Sequence, residues 1–218
     1  MGGFGKITEI GVIKMHVDIT VLDAVLFSVY WTDIQVIREH LAQNKNATFT
    51  SDINIEPLLN LQYAYNPNPL RATFFPMANG YTIMFPNLQD GWATLFYNIT
   101  RRLKAKSCYM TIMDYKKLVD ASNYFIYCEY SQERVVYTLK EDRWMFYEQG
   151  VPLSFENTAY YTARQKKERL SKEIMMEYCE SLGITSNGLI HLNPDGAFSY
   201  EYGKGQYKGA GATSFARK

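Results

Sequence analysis

Three short β-rich segments, separated by tight charged turns and followed by a long amphipathic stretch, constrain the fold more than any other part of the sequence. The segments are residues 124–130, 134–141 and 143–149, and a helix is predicted at residues 157–182. Turns as short as these bring consecutive strands together as antiparallel neighbours. The stretch therefore predicts an antiparallel meander with a helix covering one face.

The second predicted strand alternates in residue type. Val135, Tyr137 and Leu139 alternate with a polar set, which comprises Arg134, Thr138 and Lys140. This period of two is typical of a strand that has one apolar face and one face in water. The polar set is therefore expected to face solvent.

The predicted helix carries an apolar stripe. Leu170, Ile174 and Tyr178 are spaced four residues apart, so they share one face. Ser171 is also a favourable N-cap residue. The sequence leaves open whether residues 157–182 form one helix or two, with the second beginning after Ser171.

Two glycine-containing turns predict hairpins. An Asn-Gly pair at 79–80 separates apolar runs at 71–77 and 81–85, and both turn residues tolerate positive φ. An Asn-Pro-Asp-Gly turn at 193–196 joins two further runs and permits a chain reversal. These further runs are residues 189–192 and 197–202.

Three additional helices are predicted from periodicity and caps. One extends through residue 44, begins at Thr32 or Asp33 and buries a stripe that includes Ile37. The others are residues 88–104, with basic residues at the C-terminus, and a short helix at 114–120.

Together these elements predict an α+β fold, an antiparallel sheet built from a meander and hairpins and covered by two or three amphipathic helices. An Asn-Pro-Asn-Pro linker at 66–69 predicts a boundary between an N-terminal lobe, residues 1–66, and an α+β core, residues 70–202. One compact domain is the alternative. Residues 203–218 are rich in glycine, basic and without an acid, which predicts a mobile tail.

Composition favours a cytoplasmic protein that does not enter a membrane. Cys108, Cys128 and Cys179 follow no metal or disulfide spacing, which favours a reducing compartment. The longest apolar run, residues 19–31, contains Asp23 and is too short to span a bilayer. A net charge of +1 gives no overall field that would attract nucleic acid or an acidic partner.

No catalytic, cofactor-binding or metal-binding motif is recognised in the sequence. It lacks G-x-S-x-G, the phosphate-binding G-x-x-x-x-G-K-[ST] and G-x-G-x-x-G after a strand. His16, His40 and His191 have no neighbouring ligand at a metal-binding spacing, and a lone histidine is more often structural. We therefore predict neither a cofactor nor a metal, and the catalytic residues of any enzyme remain unassigned.

Two groups of charged residues are candidate contact sites. With the basic tail, the basic group could follow a phosphate backbone, although a solvated helix face is the favoured interpretation. It comprises Arg164, Lys166, Lys167, Arg169 and Lys172, together with Arg101 and Arg102. The acidic group comprises Glu133, Glu141 and Asp142 in the meander turns and is expected to lie opposite the basic helix.

Separate acidic and basic faces, many aromatic residues and no catalytic motif are typical of a protein that binds another protein. The preferred hypothesis is an interaction module that neutralises or regulates a partner, as a microbial immunity or regulatory protein does. A nucleic-acid-associated protein is the first alternative. An enzyme whose site is assembled from distant residues is the second.

Overall fold

Two antiparallel sheets and four α-helices make up the described part of the chain, which comprises residues 4–9, 12–51, 53–59, 69–88 and 90–203 of a computed structural model. The α+β class and the antiparallel pairing predicted from sequence are confirmed. The strands are β1 (Phe4–Glu9), β2 (Val12–Asp18), β3 (Ala24–Tyr30), β4 (Ala47–Thr50), β5 (Leu70–Pro76), β6 (Thr82–Pro86), β7 (Ser107–Met113), β8 (Ser122–Glu129), β9 (Gln132–Lys140), β10 (Trp144–Gln149), β11 (Leu189–Leu192) and β12 (Phe198–Tyr202). The helices are α1 (Ile34–Ala42), α2 (Glu56–Leu59), α3 (Ala93–Leu103) and α4 (Lys172–Ser181).

The strand order interleaves distant parts of the chain. The small sheet has the order β1-β2-β11, and the large sheet has the order β10-β9-β8-β7-β3-β6-β5-β12-β4. All seven residues of β3 are buried between β7 and β6. Residues 66–68 of the predicted linker and residues 204–218 of the predicted tail lie outside the described residues, and independent folding of an N-terminal lobe stays a prediction.

Local signals explain several elements. The Asn-Gly turn closes the hairpin of β5 and β6, where Gly80 adopts a φ of +74° that glycine permits without a side-chain clash. Asp33 caps α1, since its Oδ1 accepts a hydrogen bond from the Gln35 amide at 2.7 Å. The buried residues of α1 include Ile37, as the periodicity predicts. The predicted meander is the antiparallel set β8-β9-β10.

The large sheet separates two apolar cores. The α4-side core joins the buried face of α4, including Met175 and Tyr178, to Phe27 and Phe125 of the sheet. The α3-side core joins α1 and α3 to the opposite face of the sheet through residues such as Tyr30 and Phe96. Helices therefore cover both faces.

The predicted helices are longer than those observed. Residues 157–182 contain two 3₁₀ turns, Thr158–Thr162 and Lys166–Glu168, and only then α4, whose first amide groups are capped by Ser171. The alternative with a second helix after Ser171 is thus correct for α4, whereas the preceding residues are not α-helical.

The helices predicted at residues 88–104 and 114–120 are also shorter in the structure. Helix α3 begins at Ala93 rather than residue 88, because Gly91 and Trp92 both have positive φ. The predicted helix at 114–120 is a single turn in which the Asp114 carbonyl accepts from the Lys117 and Leu118 amides.

The hairpin predicted at the 193–196 turn is wrong. Strand β11 pairs with β2, whereas β12 lies between β5 and β4 in the other sheet. Contacts with distant residues hold β12 there: Phe198 stacks on Phe74 with ring centroids 4.9 Å apart, and Ser199 shares a 2.8 Å hydrogen bond with Thr73. The turn therefore redirects the chain from one sheet to the other.

The faces of β9 are reversed relative to the sequence prediction. Arg134, Val136 and Thr138 point into the α4-side core and are buried, whereas Tyr137 and Leu139 on the opposite face are half-buried. The Arg134 guanidinium is accommodated there because it donates to two carboxylates and two backbone carbonyls. Thr138 donates to the Leu170 carbonyl at 3.3 Å. Satisfied polar groups can occupy a core that their residue type alone would not predict.

Among the described residues, no helix has the length and apolar character that crossing a membrane requires.

Candidate interaction surface

The predicted basic group does not form one solvated helix face. Arg164 and Lys166 are exposed, but both lie before α4, on the 3₁₀ turns and their connections. Lys167 is half-buried with its Nζ 5.2 Å from the ring centroid of Tyr115. The interpretation as a solvated α-helical face is therefore wrong for this part of the chain.

Arg169 and Lys172 hold the fold together through backbone carbonyls. Arg169 Nε donates to the Ala163 carbonyl at 2.9 Å, and its guanidinium lies over the Phe146 ring. Lys172 is buried and donates from Nζ to the carbonyls of Thr20 and Leu22 at 2.8 and 2.6 Å. Desolvation lowers the pKa of Lys172 below its usual value. Both side chains have structural partners.

Arg101 and Arg102 lie on the opposite side of the large sheet. Both are exposed on the last turn of α3, where positive charge interacts favourably with the helix dipole. The Arg101 guanidinium lies 4.8 Å from the ring centroid of Tyr97. Because the sheet separates α3 from Arg164 and Lys166, the described basic residues do not form a continuous phosphate track.

The predicted acidic residues lie at the two ends of β9. Glu133 accepts a hydrogen bond from the Tyr97 hydroxyl near the first end. Glu141 and Asp142 form the exposed turn after the other end, where their carbonyls accept from Lys140 Nζ. The acidic group thus flanks the meander at both ends.

Between these ends lies a ladder of three stacked tyrosines. Tyr124, Tyr137 and Tyr147 are direct cross-strand neighbours on β8, β9 and β10. The Tyr124 and Tyr137 ring centroids are 5.2 Å apart, those of Tyr137 and Tyr147 are 5.1 Å apart, and both pairs are stacked. Aromatic cross-strand pairs of this kind each contribute about 0.2–1 kcal/mol. Strand register alone therefore builds a continuous row of rings across the meander.

Apolar side chains extend the ladder into a wider surface, which we call the aromatic face. It comprises Tyr124, Ile126, Val135, Tyr137, Leu139, Met145 and Tyr147. Its inner side packs into the α3-side core through Ile126 and Val135. Tyr137, Leu139 and Met145 are only half-buried and join neither core of the described residues, while Tyr147 is 42% exposed. The outer half of the aromatic face is thus accessible.

A buried ion cluster stiffens the meander directly behind this face. Arg134 Nη2 lies 2.7 Å from carboxylate oxygens of both Glu156 and Glu148. The side chains of Arg134 and Glu156 are 2% and 0% exposed, whereas that of Glu148 is 42% exposed. Arg134 Nη1 donates to the Gln149 and Gly150 carbonyls, so the arginine also fixes the end of β10.

The pKa shifts of Arg134 and Tyr124 follow from their surroundings. Burial disfavours the Arg134 cation, but hydrogen bonds to Glu156 and Glu148 outweigh that cost and raise its pKa. On the aromatic face, burial raises the pKa of Tyr124, and the nearby Tyr137 and Glu141 raise it further. Tyr124 therefore presents a neutral ring near neutral pH.

The sequence grouped three residues of the aromatic face but did not indicate their role. Its alternation placed Val135, Tyr137 and Leu139 on one face, and that grouping is correct. The same alternation predicted that this apolar set would lie inward. Residues 150–171 cover the opposite face of β9 instead, and no local pattern in β9 reveals this.

Among the side chains that the structure describes, no group of three or more histidines, cysteines or acids is placed to hold a metal ion. No protein-family model matches the sequence, and neither the curated proteins nor the solved structures include a significant match.

Proposed function

We propose that this protein is an interaction module that binds a partner protein through the aromatic face. The observation that carries the proposal is the stacked Tyr124–Tyr137–Tyr147 ladder on a sheet face whose outer half is accessible. Tyrosines supply large contact areas at low conformational cost and are enriched at protein interfaces. The rigid meander offers such an interface already formed.

The acidic residues at the ends of the aromatic face indicate which side chains a partner would carry. Glu141 and Asp142 are exposed at one end of the aromatic face, and Glu133 lies at the other. A complementary partner presents apolar or aromatic side chains at its centre and Lys or Arg residues around them. Binding then neutralises or regulates the partner by covering that basic, apolar surface.

A cytoplasmic location belongs to the same proposal. All three cysteines are free and buried, which is compatible with a reducing compartment. Nucleic acid as the partner is less favoured, because Arg164 and Lys166 lie across the sheet from Arg101 and Arg102. An enzymatic role stays a hypothesis.

The test is affinity capture from the native host, followed by calorimetry with the purified partner and three forms of this protein. The variant Tyr147→Lys places a cation at the accessible end of the ladder and beneath a basic partner surface. We expect it to weaken binding roughly a hundredfold, the scale of an interface hot spot. Circular dichroism establishes that the variant is folded.

The matched control is Tyr130→Lys, which makes the same substitution in the turn between β8 and β9, where the tyrosine is 94% exposed and outside the aromatic face. It should bind like the wild type. Equal affinity of both variants for the partner would refute the proposed surface. Capture of nucleic acid that is released by moderate salt would instead support the first alternative.

A further inference from the structure

A cleft of about 510 Å³ lies on the α3 side of the large sheet, far along the strand order from the aromatic face. Its walls are the C-terminal turn of α1, the first turns of α3, and strands β5 and β12. This volume is within the range of pockets that enclose small molecules. The cleft and the aromatic face have no residue in common.

The floor of the cleft is aromatic and held in place by a constrained loop. Trp92 and Tyr200 both line it as largely buried residues, 6% and 3% exposed, and their ring centroids are 5.9 Å apart. Trp92 has a φ of +54°, a left-handed conformation that is unfavourable for a bulky residue. Asp90 supports it: Oδ1 accepts from the Trp92 amide at 2.8 Å, and the Asp90 carbonyl accepts from the Tyr109 hydroxyl at 2.6 Å. The fold thus maintains a costly backbone geometry that places this indole at the cleft.

The rim is formed by hydrogen-bonding side chains that also brace the walls. His40 Nε2 lies 2.9 Å from Asn98 Oδ1, which connects α1 to α3. Asn44 Nδ2 donates to the Tyr200 hydroxyl at 3.2 Å, which connects the end of α1 to β12. These bonds span three separate elements, so the cleft is preformed.

Electrostatics restricts what the cleft can hold. Among the described residues that line it, none is Asp, Glu, Lys or Arg, whereas three are Asn or Gln. A charged ligand would lose hydration here without gaining an ion pair to a carboxylate, an ammonium or a guanidinium group of the described lining. Amides both donate and accept hydrogen bonds, so they match hydroxyl and amide groups on a neutral ligand.

We propose that this cleft binds an uncharged, ring-shaped small molecule that carries hydroxyl or amide groups, the chemistry shared by free nucleosides and small saccharides. Its ring packs against the Trp92 and Tyr200 floor, and its polar edge bonds to Asn98 and His40. This site is separate from partner binding and does not depend on it.

The test is an NMR titration of the full chain with four free nucleosides, with maltose and cellobiose, and with AMP as a charged counterpart of adenosine. Indole N–H resonances are site-specific here, since the chain has three tryptophans and only Trp92 lines the cleft among the described residues. We expect saturable shifts of the Trp92 indole with at least one neutral compound at millimolar concentration, while Trp31 and Trp144 stay unchanged.

The variant Asn98→Ala removes a rim amide at an exposed helix position and should weaken binding by roughly tenfold, the effect of about one hydrogen bond. Asn46→Ala is the matched control outside the cleft lining, and it should leave affinity unchanged.

Shifts of the Trp92 indole with nucleosides alone, or with saccharides alone, would each support the proposal and identify the class of ligand. Absence of Trp92 shifts with every neutral compound, or tighter binding of AMP than of adenosine, would overturn it.

Discussion

The two faces of the meander β8–β10 reverse what residue type alone leads one to expect. On the α4 side, a charged arginine and a threonine are buried, and each has hydrogen-bond partners from a distant part of the chain. On the other side, apolar and aromatic residues form the accessible outer half of a sheet face. Which face of the meander is buried thus depends on which face the later segments of the chain cover. Polar side chains are tolerated on the buried face where they have hydrogen-bond partners.

The largest expected effect comes from removing one member of the buried ion cluster. Glu156→Ala leaves the Arg134 cation buried with Glu148 as its remaining carboxylate, and it removes the acceptor of the Leu153 amide and the Tyr161 hydroxyl. We expect a loss of about 3–5 kcal/mol in the free energy of unfolding. Urea denaturation followed by far-UV circular dichroism measures it.

The control is the exposed pair of Glu173 and Lys116, whose side chains are each 60% exposed. Glu173→Ala should cost about 1 kcal/mol or less, because solvent screens this pair. Equal losses for the two substitutions would mean that the ion cluster is no more important than a surface pair.

The second experiment compares a leucine behind the meander with one on its aromatic face. Leu170 is fully buried in the α4-side core, so Leu170→Ala should cost roughly 2–5 kcal/mol. Leu139 is half-buried, and Leu139→Ala should cost about 1 kcal/mol. Denaturation midpoints at equal m-value give the difference. A cost below 1 kcal/mol for Leu170→Ala would contradict the assigned core.

The smallest expected effect separates two lysines that the sequence groups together. Lys172→Met leaves the Thr20 and Leu22 carbonyls without their ammonium donor, and we expect a loss of about 1–3 kcal/mol. Lys166→Met, at an exposed position, should change stability by about 0.5 kcal/mol or less. Thermal unfolding of both variants distinguishes the outcomes, and a destabilised Lys166→Met would show that the basic group acts as one unit.

Elements that depend on neighbouring residues were predictable from sequence. The Asn-Gly turn before Tyr81 and the Asp33 cap of α1 work through local backbone geometry, and both form as expected. The sequence predictions were wrong where contacts between distant residues determine how a strand pairs. Phe198 belongs to β12 because Phe74 stacks on it, and no property of the 193–196 turn encodes that pairing.

The candidate surface was predictable in part for the same reason. Glu133 and Glu141 were recognised as charged turn residues, and they do flank the aromatic face. The alignment of Tyr124 with Tyr137 depends on the register between β8 and β9. The accessibility of the aromatic face depends on which face of the meander residues 150–171 cover. Neither quantity is contained in the residue types of a single strand.

The position of β12 also determines the order in which the protein can be completed during synthesis. Among the described strands, β4 joins the large sheet only through β12, which lies about 150 residues further along the chain. Until residues 198–202 have left the ribosome, β4 has no neighbour in the sheet and the outer edge of β5 has not received its partner. The nascent chain therefore carries an open strand edge from the synthesis of β5 until β12 follows about 120 residues later, a state that favours chaperone binding or pairing with another nascent chain.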